Sequence, residues 1–242
     1  LRIISIYAQK ARTFSTVFLG GDVKVEFDGI ERELGDSIDS AIIWLHGLGA
    51  DANDFLPIIG EFRLPSGVRF VFPNAPHRPV TINGGMVMRA WYDIRGFGPE
   101  APEDSAGVAA SAASVRGLVE REIGRGIARE RIVLAGFSQG GAIVLHAGLL
   151  GSGRLAGVLG LSTYLAAAAS LATAGPVATD VPVRLMHGSD DPVIPLALAR
   201  ASTATLRALG VPVEWSTYRM GHEVIWPEIR DVSDWLQRVL AR

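Results

Sequence analysis

Six short apolar runs punctuate the chain without regular alternation: 41–45 (AIIWL), 68–72 (VRFVF), 131–135 (RIVLA), 155–161 (LAGVLGL), 181–186 (VPVRLM) and 213–218 (VEWSTY). A strand with one wet face alternates apolar and polar residues, whereas unbroken runs are the pattern of parallel strands covered on both faces. Between the runs lie stretches of helical character. The stretch from Asp104 starts with an acid, which suits the positive end of a helix, and closes on Gly124 and Gly126. GAIVLHAGLL has the length of a buried helix, and IPLALARASTATLRAL is followed by Gly210 and Pro212. The last 17 residues carry Trp226, Ile229, Val232, Trp235, Leu236, Val239 and Leu240 on one stripe. Strand and helix therefore alternate, which predicts an α/β domain with a mostly parallel central sheet and helices on both faces.

Three segments depart from this rhythm. Residues 73–103, rich in proline and glycine and containing Trp91 and Tyr92, are far longer than an ordinary connection. Long structured loops at strand ends tend to wall ligand sites, so Trp91, Tyr92 and Ile94, together with Leu165 farther on, are candidate substrate-binding residues. Leu155 to Thr179 carries no charge, but its glycines, hydroxyl residues and proline suit a buried strand followed by an Ala-rich helix or loop, and no stable membrane insertion is expected. The first 21 residues hold Arg2, Lys10 and Arg12 and no acid, with apolar runs too short for a secretory signal. Residues 1–22 read as an appendage and 23–242 as the domain.

Composition narrows the function. At 242 residues the chain suits one well-buried domain. Lys plus Arg number 23 against 25 Asp plus Glu, so no basic field points to nucleic acid, and a small or neutral molecule is the expected partner. Zero cysteines exclude disulfides, a thiolate nucleophile and Cys-ligated metal sites, and are compatible with the cytoplasm, the expected location.

The chemistry concentrates after the run RIVLA. In Gly136-Phe137-Ser138-Gln139-Gly140 a serine stands between glycines on a strand-to-helix turn, an arrangement that lets two elements pass closely while forcing the serine into an exposed, strained conformation. Serine needs a base, and the base needs an acid to hold its tautomer. Of the five histidines, His46 precedes the serine in a glycine turn, His77 lies in the long loop, His146 sits on the following helix and His187 ends a strand. His222, in YRMGHEV between the last strand and the last helix, is placed to present its ring. Asp190 and Asp191 follow the strand ending near His187, and Pro192 keeps the backbone of Asp191 extended. The order Ser138, Asp191, His222 is nucleophile, acid, histidine, the order of α/β-hydrolases. Oxyanion donors are expected from the backbone N–H of Gln139 and, in the turn WLHGLGAD, of Leu48.

With WLHGLGAD, FPNAPHRPVTINGG, AWYDI, RIVLAGFSQGGA, LSTYL, HGSDDPVIP and MGHEV in that order, the chain from about Val23 resembles the bacterial carboxylesterase and acyl-protein thioesterase family, the phospholipase/carboxylesterase family of α/β-hydrolases. The resemblance implies an α/β-hydrolase fold without a large cap domain, often homodimeric, needing no cofactor and no metal. It puts the nucleophile on Ser138, the acid on Asp191, the base on His222 and the oxyanion amides on Leu48 and Gln139; Asp190 falls where the family varies. The expected activity is that of a serine carboxylesterase on short- to medium-chain esters through an acyl-enzyme. The alternatives are an acyl-protein thioesterase or lysophospholipase using the same triad, and a non-catalytic binding protein of the same fold.

Overall fold

The computed structural model describes residues 27–64, 67–96, 101–151 and 153–241. In chain order the elements are β1 (Gly29–Leu34), β2 (Ile38–Leu45), β3 (Gly67–Pro73), β4 (His77–Val80), β5 (Met86–Arg89), α1 (Ser105–Gly124), β6 (Ile132–Phe137), α2 (Gln139–Leu149), β7 (Gly157–Leu161), α3 (Ala168–Thr173), β8 (Val183–Gly188), α4 (Leu196–Ala208), β9 (Val213–Tyr218) and α5 (Trp226–Leu240). Each predicted apolar run lies wholly or largely in a strand of one seven-stranded sheet, ordered β1-β3-β2-β6-β7-β8-β9. Every pairing in it is parallel except that of β1 with β3.

Side chains alternate faces along a strand, so β2 divides the core in two. Ala41, Ile43 and Leu45 face a cluster built with α1, α2 and Leu206 of α4, whereas Ile42 and Trp44 face one built with Phe55, Phe62 and the Trp235 stripe of α5. Both faces of the sheet are thus covered, as unalternating runs require. The acid-led start of α1 is a true cap: the Asp104 side chain accepts from the Gly107 N–H at 3.1 Å. The charge-free stretch resolves into β7, a turn and the six-residue α3, and among the described residues no helix is long and apolar enough to cross a membrane.

Two features were not expected from the pattern. β1, GIEREL, reads as a charged surface segment, yet it runs antiparallel along β3 at the sheet edge. Its charges are used in place: Glu33 pairs with Arg69 at 2.9 Å, and Glu31 with Arg121 and Arg125 at 2.7 and 2.9 Å. Those arginines, Arg121 on α1 and Arg125 just past its end, also reach Glu122, whose carboxylate is fully buried and receives Arg69 as well, at 2.8 Å. The long loop contains a small hairpin, β4 with β5. The appendage expected at residues 1–22 lies outside the described residues.

Candidate active site

The Ser138 turn joins β6 to α2, and its backbone is strained: φ is 53° and ψ −119°, a region costly for any residue with a Cβ. Two contacts from the end of β7 hold it. The Ser138 N–H donates to the Leu161 carbonyl at 2.9 Å, and the Thr163 hydroxyl donates to the Ser138 carbonyl at 2.7 Å. The turn also depends on close approach, since a Cβ on Gly140 would come within 2.6 Å of the Leu45 and His46 carbonyl oxygens. That is why glycine stands two residues beyond the serine.

Asp191 occupies the turn after β8. Its Oδ1 accepts from the N–H groups of Val193 and Ile194 at 2.8 and 2.9 Å, which aims Oδ2 at His222 Nδ1, 2.8 Å away. His222 comes from the turn between β9 and α5, and its Nε2 lies 2.9 Å from Ser138 Oγ. The two turns nearly touch: a Cβ on Gly188 would meet the Gly221 and Met220 carbonyl oxygens at 2.3 and 2.4 Å. Phe137 packs on the His222 ring, centroids 4.9 Å apart. The structure therefore brings Ser138, Asp191 and His222 into one hydrogen-bonded line in which a proton on His222 Nδ1 leaves Nε2 as the acceptor facing the serine.

His187 stands behind this line. Its Nε2 lies 2.9 Å from the Ile194 carbonyl and 3.6 Å from Asp191 Oδ2. Burial, foremost, lowers its pKa, so the neutral ring donates to Ile194 and braces the Asp191 turn. His46 is likewise pushed toward neutrality by burial, with Nδ1 2.7 Å from the Gly47 carbonyl and Nε2 accepting from the Ala75 N–H at 3.0 Å. His146 contacts the Ala166 carbonyl at 2.6 Å, and His77 lies on the exposed hairpin.

The turn after β2 reaches the same place. Gly49 N–H donates to the Arg89 carbonyl at 2.9 Å and Ala50 N–H to the Gly47 carbonyl at 3.3 Å, and Leu48 between them lines the cavity that holds Ser138 and His222. That cavity, of about 340 Å3, has an apolar wall from Leu48, Ile82, Ile94, Phe137, Tyr164 and Val193, with Asp54 and Asn83 as polar members. Gln139, the residue after Ser138, anchors the neighbouring loop through its side chain. Its side chain is 1% exposed, accepts from the Trp91 N–H and donates to the Tyr92 carbonyl, both at 2.8 Å.

Of the four residues expected at the substrate, Ile94 alone lines this cavity. Trp91 is occupied structurally: its indole N–H donates to the His46 carbonyl at 2.9 Å, its carbonyl accepts from the Ser111 hydroxyl, and its ring borders a separate, larger cavity of about 720 Å3 beside α1. Tyr92 and Leu165 line another cavity behind Ile94. Tyr164, Phe137 and Val193, which do line the serine cavity, were in view in LSTYL, GFSQG and DDPVIP; nothing in spacing alone tells which of two adjacent loop side chains points inward.

Comparison with known proteins agrees with this architecture. Residues 33–240 match the Phospholipase/Carboxylesterase family. Acyl-protein thioesterase 1 of Gibberella zeae is 35% identical over 213 residues, 83% of this chain and 91% of that protein. Acyl-protein thioesterase 1 of Schizosaccharomyces pombe is 36% identical over 76% of this chain and 85% of its own. Among solved structures, SOBER1 of Arabidopsis thaliana superposes with a TM-score of 0.78 at 31% identity, covering 83% of this chain and 99% of that one. Acyl-protein thioesterase 2 of Zea mays gives a TM-score of 0.76 at 30% identity, covering 88% and 100%.

Proposed function

The chain belongs to the phospholipase/carboxylesterase family and is a hydrolase of the esterase and thioesterase kind, and from that premise we propose that it removes short- to medium-length acyl groups from thioesters, and from oxygen esters at the same site, through an acyl-enzyme on Ser138. The observation that carries this reading is the Asp191–His222–Ser138 line, with contacts of 2.8 and 2.9 Å, opening on an apolar cavity. As Ser138 Oγ attacks the acyl carbonyl, His222 Nε2 takes its proton and Asp191 stabilises the imidazolium. The amides of Leu48 and Gln139 hold the oxyanion, the latter at the positive end of α2, and one such donor is worth about 3 to 4 kcal/mol. The tetrahedral adduct expels the thiol or alcohol, which leaves with the proton from His222. Water, deprotonated by the same nitrogen, then attacks the acyl-enzyme, releases the carboxylic acid and restores Ser138.

The thioester preference rests on the relatives named acyl-protein thioesterases. The limit on acyl length rests on the cavity: about 340 Å3 is near the small end for ligand sites. Asp54 in its wall disfavours the phosphodiester of a lysophospholipid.

The test compares an octanoyl thioester with p-nitrophenyl octanoate, using wild type and Ser138→Ala. The expected result is hydrolysis of both, faster for the thioester, with at least about a thousandfold loss in the variant. Activity surviving the substitution overturns the reading; ester cleaved and thioester refused reduces it to a carboxylesterase. A wild type that neither turns over nor takes a fluorophosphonate on Ser138 would be a binding protein of this fold.

A further inference from the structure

A second cavity, of about 230 Å3, lies against the serine cavity. Tyr164 and Ile94 line both, and Tyr92 lines the second. The two phenol oxygens are 2.8 Å apart, so one hydroxyl donates to the other at the common wall. The second cavity is also lined by Val108, Leu165 and Leu198 and by the charged Asp93, Arg95, Glu103 and Asp104; the Arg95 guanidinium pairs with Asp93 and Asp104 at 3.0 and 3.7 Å, and Glu103 accepts from the Ala167 N–H at 2.7 Å.

The placement of the wall is fixed from both sides of the nucleophile. The Tyr92 carbonyl is bound by the side chain of Gln139, the residue after Ser138. Tyr164 follows Thr163, whose hydroxyl holds the Ser138 carbonyl. The distance from Ser138 to the tyrosine pair is therefore set by the turn that carries the nucleophile.

We propose that the Tyr164 ring, pinned by the Tyr92 hydroxyl, is a partition that fixes the longest acyl chain the site accepts, and that the cavity behind it is an unused extension able to take the end of a longer chain once the ring is cut back. This rests on the acyl-transfer reading above. Tyr164 determines specificity by length; Tyr92 positions it.

The test reads the ratio of kcat/KM for p-nitrophenyl decanoate over butyrate. Each additional buried methylene is worth about fourfold, so Tyr164→Leu is expected to raise the ratio by roughly tenfold or more, and Tyr92→Phe, which removes only the pin, to raise it by a smaller factor. Adding Leu198→Phe to Tyr164→Leu refills the second cavity and is expected to bring the ratio back toward wild type, which a general loosening of the fold would not do. Binding of 1-decanol, measured by calorimetry in the Ser138→Ala background with and without Tyr164→Leu, reports the space without catalysis. Turnover that depends on Ser138, with neither ratio nor binding moved by Tyr164→Leu, overturns the partition and leaves the hydrolase standing. Tighter decanol binding in a protein that hydrolyses nothing supports the partition while the acyl-transfer reading falls. If Tyr164→Leu fails to fold, Tyr92→Phe decides: a ratio unchanged within twofold overturns the proposal.

Discussion

Gln139 is the residue at which catalysis and stability are hardest to separate, and truncating it separates them. Gln139→Ala keeps the backbone amide that the proposed mechanism uses and deletes the side chain that binds Trp91 N–H and Tyr92 C=O. Both groups are buried, and the glutamine itself is 1% exposed, so water has little access to replace it. An orphaned buried polar group costs about 1 to 3 kcal/mol, so two cost about 2 to 6 kcal/mol, a large share of a domain's usual 5 to 15 kcal/mol (roughly). In urea the unfolding midpoint is expected to fall by about 1 M or more at unchanged slope. Because the loosened segment leads into Ile94, KM is expected to rise more than kcat falls. Gln139→Glu sharpens the test: its carboxylate can accept from Trp91 but faces the Tyr92 carbonyl as a second acceptor, whereas its protonated form can donate. The folded pKa of that glutamate is thereby raised, so the variant's deficit shrinks as pH falls and grows as pH rises. A Gln139→Ala protein within about 0.5 kcal/mol of wild type would refute the reasoning, since that is the scatter of an ordinary surface change.

Three further outcomes follow from other sites. Glu122→Ala leaves Arg69, Arg121 and Arg125 without their buried carboxylate and should cost about 3 to 5 kcal/mol in denaturant unfolding; a loss under 1 kcal/mol would show that the arginines find other partners. Gly140→Ala drives a methyl into the Leu45 and His46 carbonyls, so fluorophosphonate labelling of Ser138 should drop at least about tenfold even in molecules that remain folded by circular dichroism. Glu228 has its pKa raised to about 8 by burial, with Asp231 adding to the effect; the folded state then holds a proton that the unfolded state releases, so wild type loses stability as pH rises from about 4.5 through about 8. Glu228→Gln should flatten that profile in thermal melts across the window, and an unchanged pH slope would dismiss the burial account.

The chain announces its parallel strands because burial on both faces leaves no room for polar alternation, and AIIWL or RIVLA can be little else. β1 is hidden by the same logic: an edge strand needs only one partner, and Glu31 and Glu33 disguise it as surface although their arginines lie 36 to 94 residues away. Ser138, Asp191 and His222 can be picked out as neighbours because each stands in a marked local setting, between glycines, before a proline or after a glycine, and of the three Ser138 alone has a positive φ. The cavity wall is not legible in this way. Trp91 and Tyr92 look like pocket residues by size, yet indole and backbone hydrogen bonds from His46, Ser111 and Gln139 commit that segment to the frame, and those partners are 20 to 48 residues distant.

His222, the proposed base, hangs from the margin of the sheet, unlike Ser138. Ser138 is carried by β6, which has strands on both sides, whereas His222 follows β9, which among the described residues pairs with β8 alone. Peeling that last strand outward would withdraw the imidazole and leave the serine turn and its β7 contacts standing. Heat should therefore silence the enzyme some degrees before it melts the protein, and the first amides to exchange should be those of residues 213–218, so that loss of function and loss of fold become two separate events.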